Sequence, residues 1–204
     1  MIKPTQLTFW FEFASPYSYL SAMRIRDLAD RAGVAVIWQP FLLGPIFAAQ
    51  GWDDSPFRLY PRKGAYMLRD MVRTARDYGL PYAQPDIFPQ NGLLGARVAL
   101  ALRGAGHDPA AFVCSVYARQ FAQNADISDP ATIAAALGDA ALPEDSTAEA
   151  WIARAQSPQI KQALRDAGTT ADRLGLFGAP SFSTGDEIFW GDDRLEQALR
   201  YAQA

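Results

Sequence analysis

The chain carries one cysteine, Cys114, and one histidine, His107, among 204 residues. A lone thiol cannot close an internal disulfide, and one thiol with one imidazole cannot assemble a Cys/His metal cluster, so no metal site is expected. A serine hydrolase is also disfavoured: "FASPY" is not the G-x-S-x-G elbow, and the only imidazole sits in the loop-like "GAGHDP". Basic charge is scarce as well. Lys and Arg total 19 against 22 Asp and Glu, a formal net charge of -3, which with no long basic block leaves no general electrostatic footprint for nucleic acid. No run approaches the roughly 20 apolar residues of a membrane span, and "MIKPTQLTFW" lacks the apolar core of a signal peptide. A cytoplasmic protein with no nucleic-acid or membrane partner is the expectation.

What the sequence does have is apolar material. Hydrophobic residues make up 50% of the chain, sufficient for a substantial core in one domain, or in one domain carrying an insertion. Residues 7–13, rich in Phe and Trp, read as a buried strand. Ile25, Leu28, Ala29 and Ala32 then recur at helical spacing, Gly33 offers a helix stop, and "VAVIWQPFLL" reads as a second strand. The opening is therefore a βαβ unit with parallel pairing.

From Gly44 to about Leu174 only helical patterns occur. Met67, Leu68, Met71, Val72, Ala75 and Tyr78 share one helix, Leu94, Val98, Ala101 and Leu102 a second, and Phe112, Val113, Val116, Tyr117 and Phe121 a third. Asp108-Pro109, Asp129-Pro130 and Ser157-Pro158 each set a capping residue before a proline suited to the first helical position. After this block, "SFST" and "EIFW" flank a Gly-Asp turn as two short strands, and Leu195, Ala198, Leu199 and Ala202 mark a last helix. The reading is an α/β domain in two parts, 1–44 and 175–204, interrupted by an all-helical insertion over 45–174.

Ser15 has the same cap-then-proline grammar, so its hydroxyl can satisfy a free N–H of the first turn. Alternatively, the helix N-terminus, with partial positive charge and spare donors, stabilises an anion such as a thiolate, and the hydroxyl donates one more hydrogen bond. Cys114, among Phe112, Val113 and Val116, reads as a packed thiol. In "GAPSF" the proline is a turn residue, or a cis-proline that leaves Ala179 free to pair with an extended ligand. Asp193 and Glu196 have capping-box spacing; in the other reading Asp192 faces a ligand amine. Arg58, Arg62 and Lys63 form either solvated surface or a carboxylate-binding patch, walled by "QPFLLGPIF".

Taken in order, "FEFASPYSYLSA", "WQPFLLGPIF", "SPFRLYPRKGAYMLRD", "DIFPQNGL", "LFGAPSF" and "FWGDDRL" resemble the 2-hydroxychromene-2-carboxylate isomerase family. That family is related to kappa-class glutathione transferases and has a DsbA-like thioredoxin fold. The resemblance implies a glutathione-dependent isomerase of aromatic catabolism, with Ser15 catalytic where thioredoxin-like oxidoreductases place the first cysteine of C-x-x-C. With "SPYS" in place of that motif, exchange through an enzyme dithiol is excluded. Glutathione would be held by Ser15, Lys63, Ala179, Pro180, Trp190, Gly191, Asp192 and Asp193. The substrate, a small aromatic carboxylate, would meet Phe41, Leu43, Asp53, Arg58 and Phe88. Where relatives often carry asparagine, this chain has Asp53 and Arg58, which changes the anions that fit. A homodimer is implied. The alternatives are a kappa-like glutathione transferase or peroxidase, and a non-catalytic peptide-binding module that pairs an extended chain with the strand near Pro180.

Overall fold

Alternation along "QLTFWF" sets the frame. In β1 (Gln6–Phe11) the side chains of Leu7, Phe9 and Phe11 are fully buried, as period-two geometry requires of residues sharing one sheet face. Helix α1 (Pro16–Ala32) follows and stops at Gly33, whose φ of 65° is the left-handed conformation that glycine adopts without cost. Strand β2 (Ala35–Pro40) returns parallel to β1, with Phe9 opposite Trp38. In this computed structural model, which describes residues 5–52, 54–140, 142 and 146–203, the expected βαβ opening is present. Strands β3 (Ser181–Thr184) and β4 (Glu187–Trp190) complete a mixed sheet of order β2-β1-β3-β4, with β3 antiparallel to both β1 and β4.

Between β2 and β3 the chain is helical: α2 (Leu43–Ala49), α3 (Pro56–Leu59), α4 (Pro61–Asp77), α5 (Leu93–Gly104), α6 (Ala110–Phe121), α7 (Pro130–Asp139), α8 (Ala148–Ala155) and α9 (Pro158–Arg173). A 3-10 turn at Asp192–Arg194 and α10 (Leu195–Ala202) close the chain. The cap grammar holds at Asp129, which accepts from Ala131 N–H at 2.9 Å, and at Ser157, which accepts from Ile160 N–H at 3.4 Å. Three details depart from the sequence reading. At Asp108-Pro109 the helix starts one residue later, with Pro109 itself as the cap of α6, and Asp108 accepts from Ala110 N–H at 2.9 Å. Val72, placed on the buried stripe of α4, is 55% exposed, because Met67, Met71 and Ala75 already fill that face. The capping box at Asp193 and Glu196 does not form: the 3-10 turn intervenes, and Glu196 instead pairs with Arg24 of α1 at 2.7 Å.

Sheet and helices share their core. One cluster joins Phe9 and Phe182 with Val98 of α5 and Phe112 and Tyr117 of α6. On the opposite face of β1, Trp10 packs with Phe41, Leu43, Ile46, Ala171 and Leu176. Both sheet faces are thus covered, and the C-terminal end of β1 is left as the place where loops converge. No helix among the described residues is long and apolar enough to cross a membrane.

Candidate active site

Ser15 sits where β1 turns into α1. Its N–H donates to the Glu12 carbonyl at 3.0 Å, its φ and ψ of -89° and 115° are those of a helix cap, and its Oγ accepts from Ser18 N–H at 3.2 Å. The capping reading is therefore physically present. The same hydroxyl also donates to the carbonyl of Ala179 at 2.7 Å, across 164 residues of sequence. Ala179 precedes Pro180 through a cis peptide bond, and Gly191 N–H donates to Pro180 O at 2.9 Å. Three separate stretches, 12–15, 178–180 and 190–194, are thus stitched together around one hydroxyl. The Ala179 N–H has no partner among the described residues.

These stretches form the floor of a cleft of about 1400 Å³. Of the residues singled out from the sequence, Ser15, Leu43, Lys63, Phe88, Ala179, Pro180, Trp190, Gly191, Asp192 and Asp193 line it. Two do not. Phe41 is fully buried below the floor, edge-on to Trp10 with ring centroids 6.0 Å apart, because the sheet face opposite the main core needs its own filling. Arg58 has a side chain 63% exposed and pairs with Asp54 at 3.3 Å instead of facing the cleft. Asp53 lies outside the described residues. Sequence reasoning had not placed Glu12, Tyr17, Asp70, Tyr78 or Phe177 here, yet all line the cleft. Of these, Glu12 carried a legible signal, an acid held between Phe11 and Phe13 at a strand end.

The charges divide the cleft. Arg62 and Lys63 line it from α4 and have no carboxylate partner among the described residues, the Lys63 ammonium lying 5.3 Å from the Tyr60 ring. Asp192 is buried, accepts from Ser21 Oγ at 2.8 Å and pairs with Arg24 at 3.3 Å, while burial holds its carboxyl above the ordinary value. Arg24 in turn lies over the Tyr78 ring at 3.6 Å, and burial pushes the Tyr78 phenol up to about 12. Asp193 is exposed and pairs with Arg194 at 3.0 Å. Tyr17 donates to Asp70 at 2.8 Å, and burial, then that carboxylate, raise its phenol well above the usual range. Glu12 is half-buried. Its Oε2 accepts from Leu43 N–H at 2.9 Å, and burial raises its carboxyl to about 7 in spite of that bond.

Away from the cleft, the remaining reactive types are quiet. The Cys114 thiol donates to Ala22 O at 3.4 Å and is pushed up to about 12 by burial, so almost none of it is thiolate at neutral pH. His107 meets Trp151 edge-on at 5.6 Å. No group of three or more metal-ligating side chains occurs among the described residues.

A strand-to-helix turn facing a cis-proline, with a helical block inserted between sheet halves, is the architecture of a DsbA-like thioredoxin domain. That family's description matches residues 6–203, and the chain belongs to it. Within that class it belongs to the 2-hydroxychromene-2-carboxylate isomerases, a family of enzymes: it is 32% identical over 191 residues to the one from Sphingobium xenophagum, covering 93% of this chain and 94% of that one. A solved structure of a 2-hydroxychromene-2-carboxylate isomerase superposes with a TM-score of 0.78 at 25% identity, over 96% of this chain and 93% of the other. Glutathione S-transferase kappa 1 of Homo sapiens is 25% identical over 203 residues, 95% of this chain and 88% of its own.

Proposed function

We propose that the protein is a glutathione-dependent isomerase that interconverts 2-hydroxychromene-2-carboxylate, or a related aromatic keto acid, and its trans-2-hydroxybenzylidenepyruvate form. The observation that carries this reading is the Ser15 hydroxyl, held at the α1 N-terminus and aimed at the Ala179–Pro180 turn, with no thiol of the protein's own in the cleft.

The residues present suit glutathione. A peptide ligand finds one unpaired backbone donor at Ala179, the carboxylates of Asp192 and Asp193 for its amine, and two cations without a carboxylate partner, Arg62 and Lys63, for its carboxylates. Bound glutathione would supply a sulfur nucleophile that adds reversibly to a conjugated acid, making a double bond briefly single and rotatable. Ser15 would serve by turning its proton from the Ala179 carbonyl toward that sulfur, while the N-terminus of α1, where Tyr17 N–H is the free donor of the first turn, adds positive potential. Leu43, Phe47, Phe88 and Phe177 supply apolar walls for an aromatic ring.

The test is to follow 2-hydroxychromene-2-carboxylate and free thiol together, with and without glutathione. Isomerisation that requires glutathione and leaves its concentration unchanged supports the reading. Stoichiometric loss of thiol replaces it with transfer, the activity for which the human kappa relative is named.

A further inference from the structure

Glu12 is a titratable group of the cleft to which the mechanism above gives no task. Glu12 lies three residues before Ser15, across the turn in which Ser15 N–H donates to the Glu12 carbonyl at 3.0 Å, and both residues line the cleft. One carboxylate oxygen, Oε2, is fixed by Leu43 N–H at 2.9 Å. The other, Oε1, has no hydrogen-bond partner among the described residues.

Among the described residues, none of the cations pairs with Glu12. From α6 the Tyr117 phenol donates to the Glu12 backbone carbonyl at 2.8 Å, not to the carboxyl. From α1 come Ser15 and Tyr17, the latter bound to Asp70 of α4. Helix α2 offers only peptide groups, having no charged residue, and the 88–90 loop offers Gln90, whose amide is engaged with Ala125 O and Ile127 N–H. Arg62 and Lys63 on α4, and Asp192, Asp193 and Arg194 at the chain end, line the same cleft without an ion pair to Glu12.

From this placement we infer that Glu12 is the proton carrier of the site, taking the proton of the bound thiol and returning it when the thiolate leaves the product. The inference rests on the glutathione reading above. Glu12 Oε1 accepts the proton as the S–H bond breaks and the electron pair stays on sulfur. When the carbon–sulfur bond later breaks and the pair returns to sulfur, the same O–H bond breaks and S–H reforms. No proton or electron is gained or lost over the cycle. A carboxyl whose ordinary value of 4.5 is raised to about 7 suits this exchange, because it gives up the proton nearly as readily as it takes it. An unpaired carboxylate beside a thiolate is also costly, and like charges at close range favour sharing one proton between them.

Infrared difference spectroscopy of the wild-type protein at pH 8, on saturation with glutathione, reads this directly. Glu12 is then mostly ionised in the free protein, and a new protonated-carboxyl band is expected, absent from Glu12→Gln. In the isomerisation assay Glu12→Gln, which keeps an acceptor for Leu43 N–H, is expected to lose on the order of 100-fold in kcat. It should also lose the acid limb of the pH profile near 7, with glutathione affinity within about threefold, and Glu12→Asp should restore part of the rate. Saturable binding without the band, or Glu12→Gln with an unaltered pH profile, overturns the inference alone. Wild-type protein that binds no glutathione overturns the glutathione reading and this inference with it.

Discussion

Replacing Ser15 with alanine removes, besides the 2.7 Å hydrogen bond to the Ala179 carbonyl in the free protein, two things that have to be weighed separately. The first is the α1 cap: Oγ accepts from Ser18 N–H at 3.2 Å, and loss of such a cap costs about 1 kcal/mol of stability. The second is the donor offered to a bound sulfur. A hydrogen bond to a charged group contributes about 1.5–3 kcal/mol, and 1.36 kcal/mol corresponds to one pKa unit, so the bound thiol should rise by about 1–2 units in Ser15→Ala. Where thiolate is the reacting form, turnover near neutral pH should fall by about 10- to 100-fold. Stability and chemistry are separated with Asp129→Ala, which removes the equivalent cap from α7, where Asp129 accepts from Ala131 N–H at 2.9 Å and does not line the cleft. That variant should lose the stability of a cap alone, about 1 kcal/mol, and keep full activity. The assay is thiolate absorbance against pH on the glutathione complex, beside kcat and the urea midpoint. A Ser15→Ala protein with unchanged thiol titration and rate would falsify the role given to the hydroxyl.

Further outcomes follow from charge and space. Glu12 keeps its proton in the folded state to about 7, whereas in the unfolded chain it releases it near 4.5. Its contribution is therefore fully present below 4.5 and is lost as pH rises toward 7, a change of about 3 kcal/mol. Glu12→Gln should accordingly be more stable than wild type at pH 8 by up to about 3 kcal/mol and match it near pH 4, as urea unfolding at both pH values would report. Arg24→Ala strips the partner from Asp192, whose side chain is only 4% exposed. Stability should drop by about 3 kcal/mol at neutral pH and recover in part as acid protonates Asp192, already raised by burial. In Gly64→Ala the new methyl would stand 2.5 Å from the Phe57 carbonyl oxygen. That atom is backbone, so α3 has to move against α4. A loss of about 1–3 kcal/mol and weaker glutathione binding in calorimetry are expected.

The sheet and its helices were legible because their signals are local. Alternation in "QLTFWF" and the i, i+3, i+4 spacing from Ile25 to Ala32 need no tertiary information, and Gly33 supplied the stop. Ser15 as a cap was readable for the same reason. What completes the cleft was not, since it depends on docking. Tyr17 meets Asp70 across 53 residues, and Asp192 meets Ser21 across 171; no spacing rule encodes such pairs. Phe41 and Arg58 show the converse. Their segments belong to the region of the cleft, but the chain just past β2 and the short α3 each have two sides, and each of these side chains took the other one. The capping box at Asp193 failed through competition: Arg24, reaching from α1, holds both Asp192 and Glu196, leaving Glu196 unable to turn back to its own helix end.

The reading turns on whether this cleft holds glutathione as a thiolate. Ultraviolet difference absorbance during titration of glutathione into the wild-type protein at pH 7 measures that directly. A saturable thiolate band, much reduced in Ser15→Ala, is the expected result. The absence of any saturable signal across the millimolar range would contradict it.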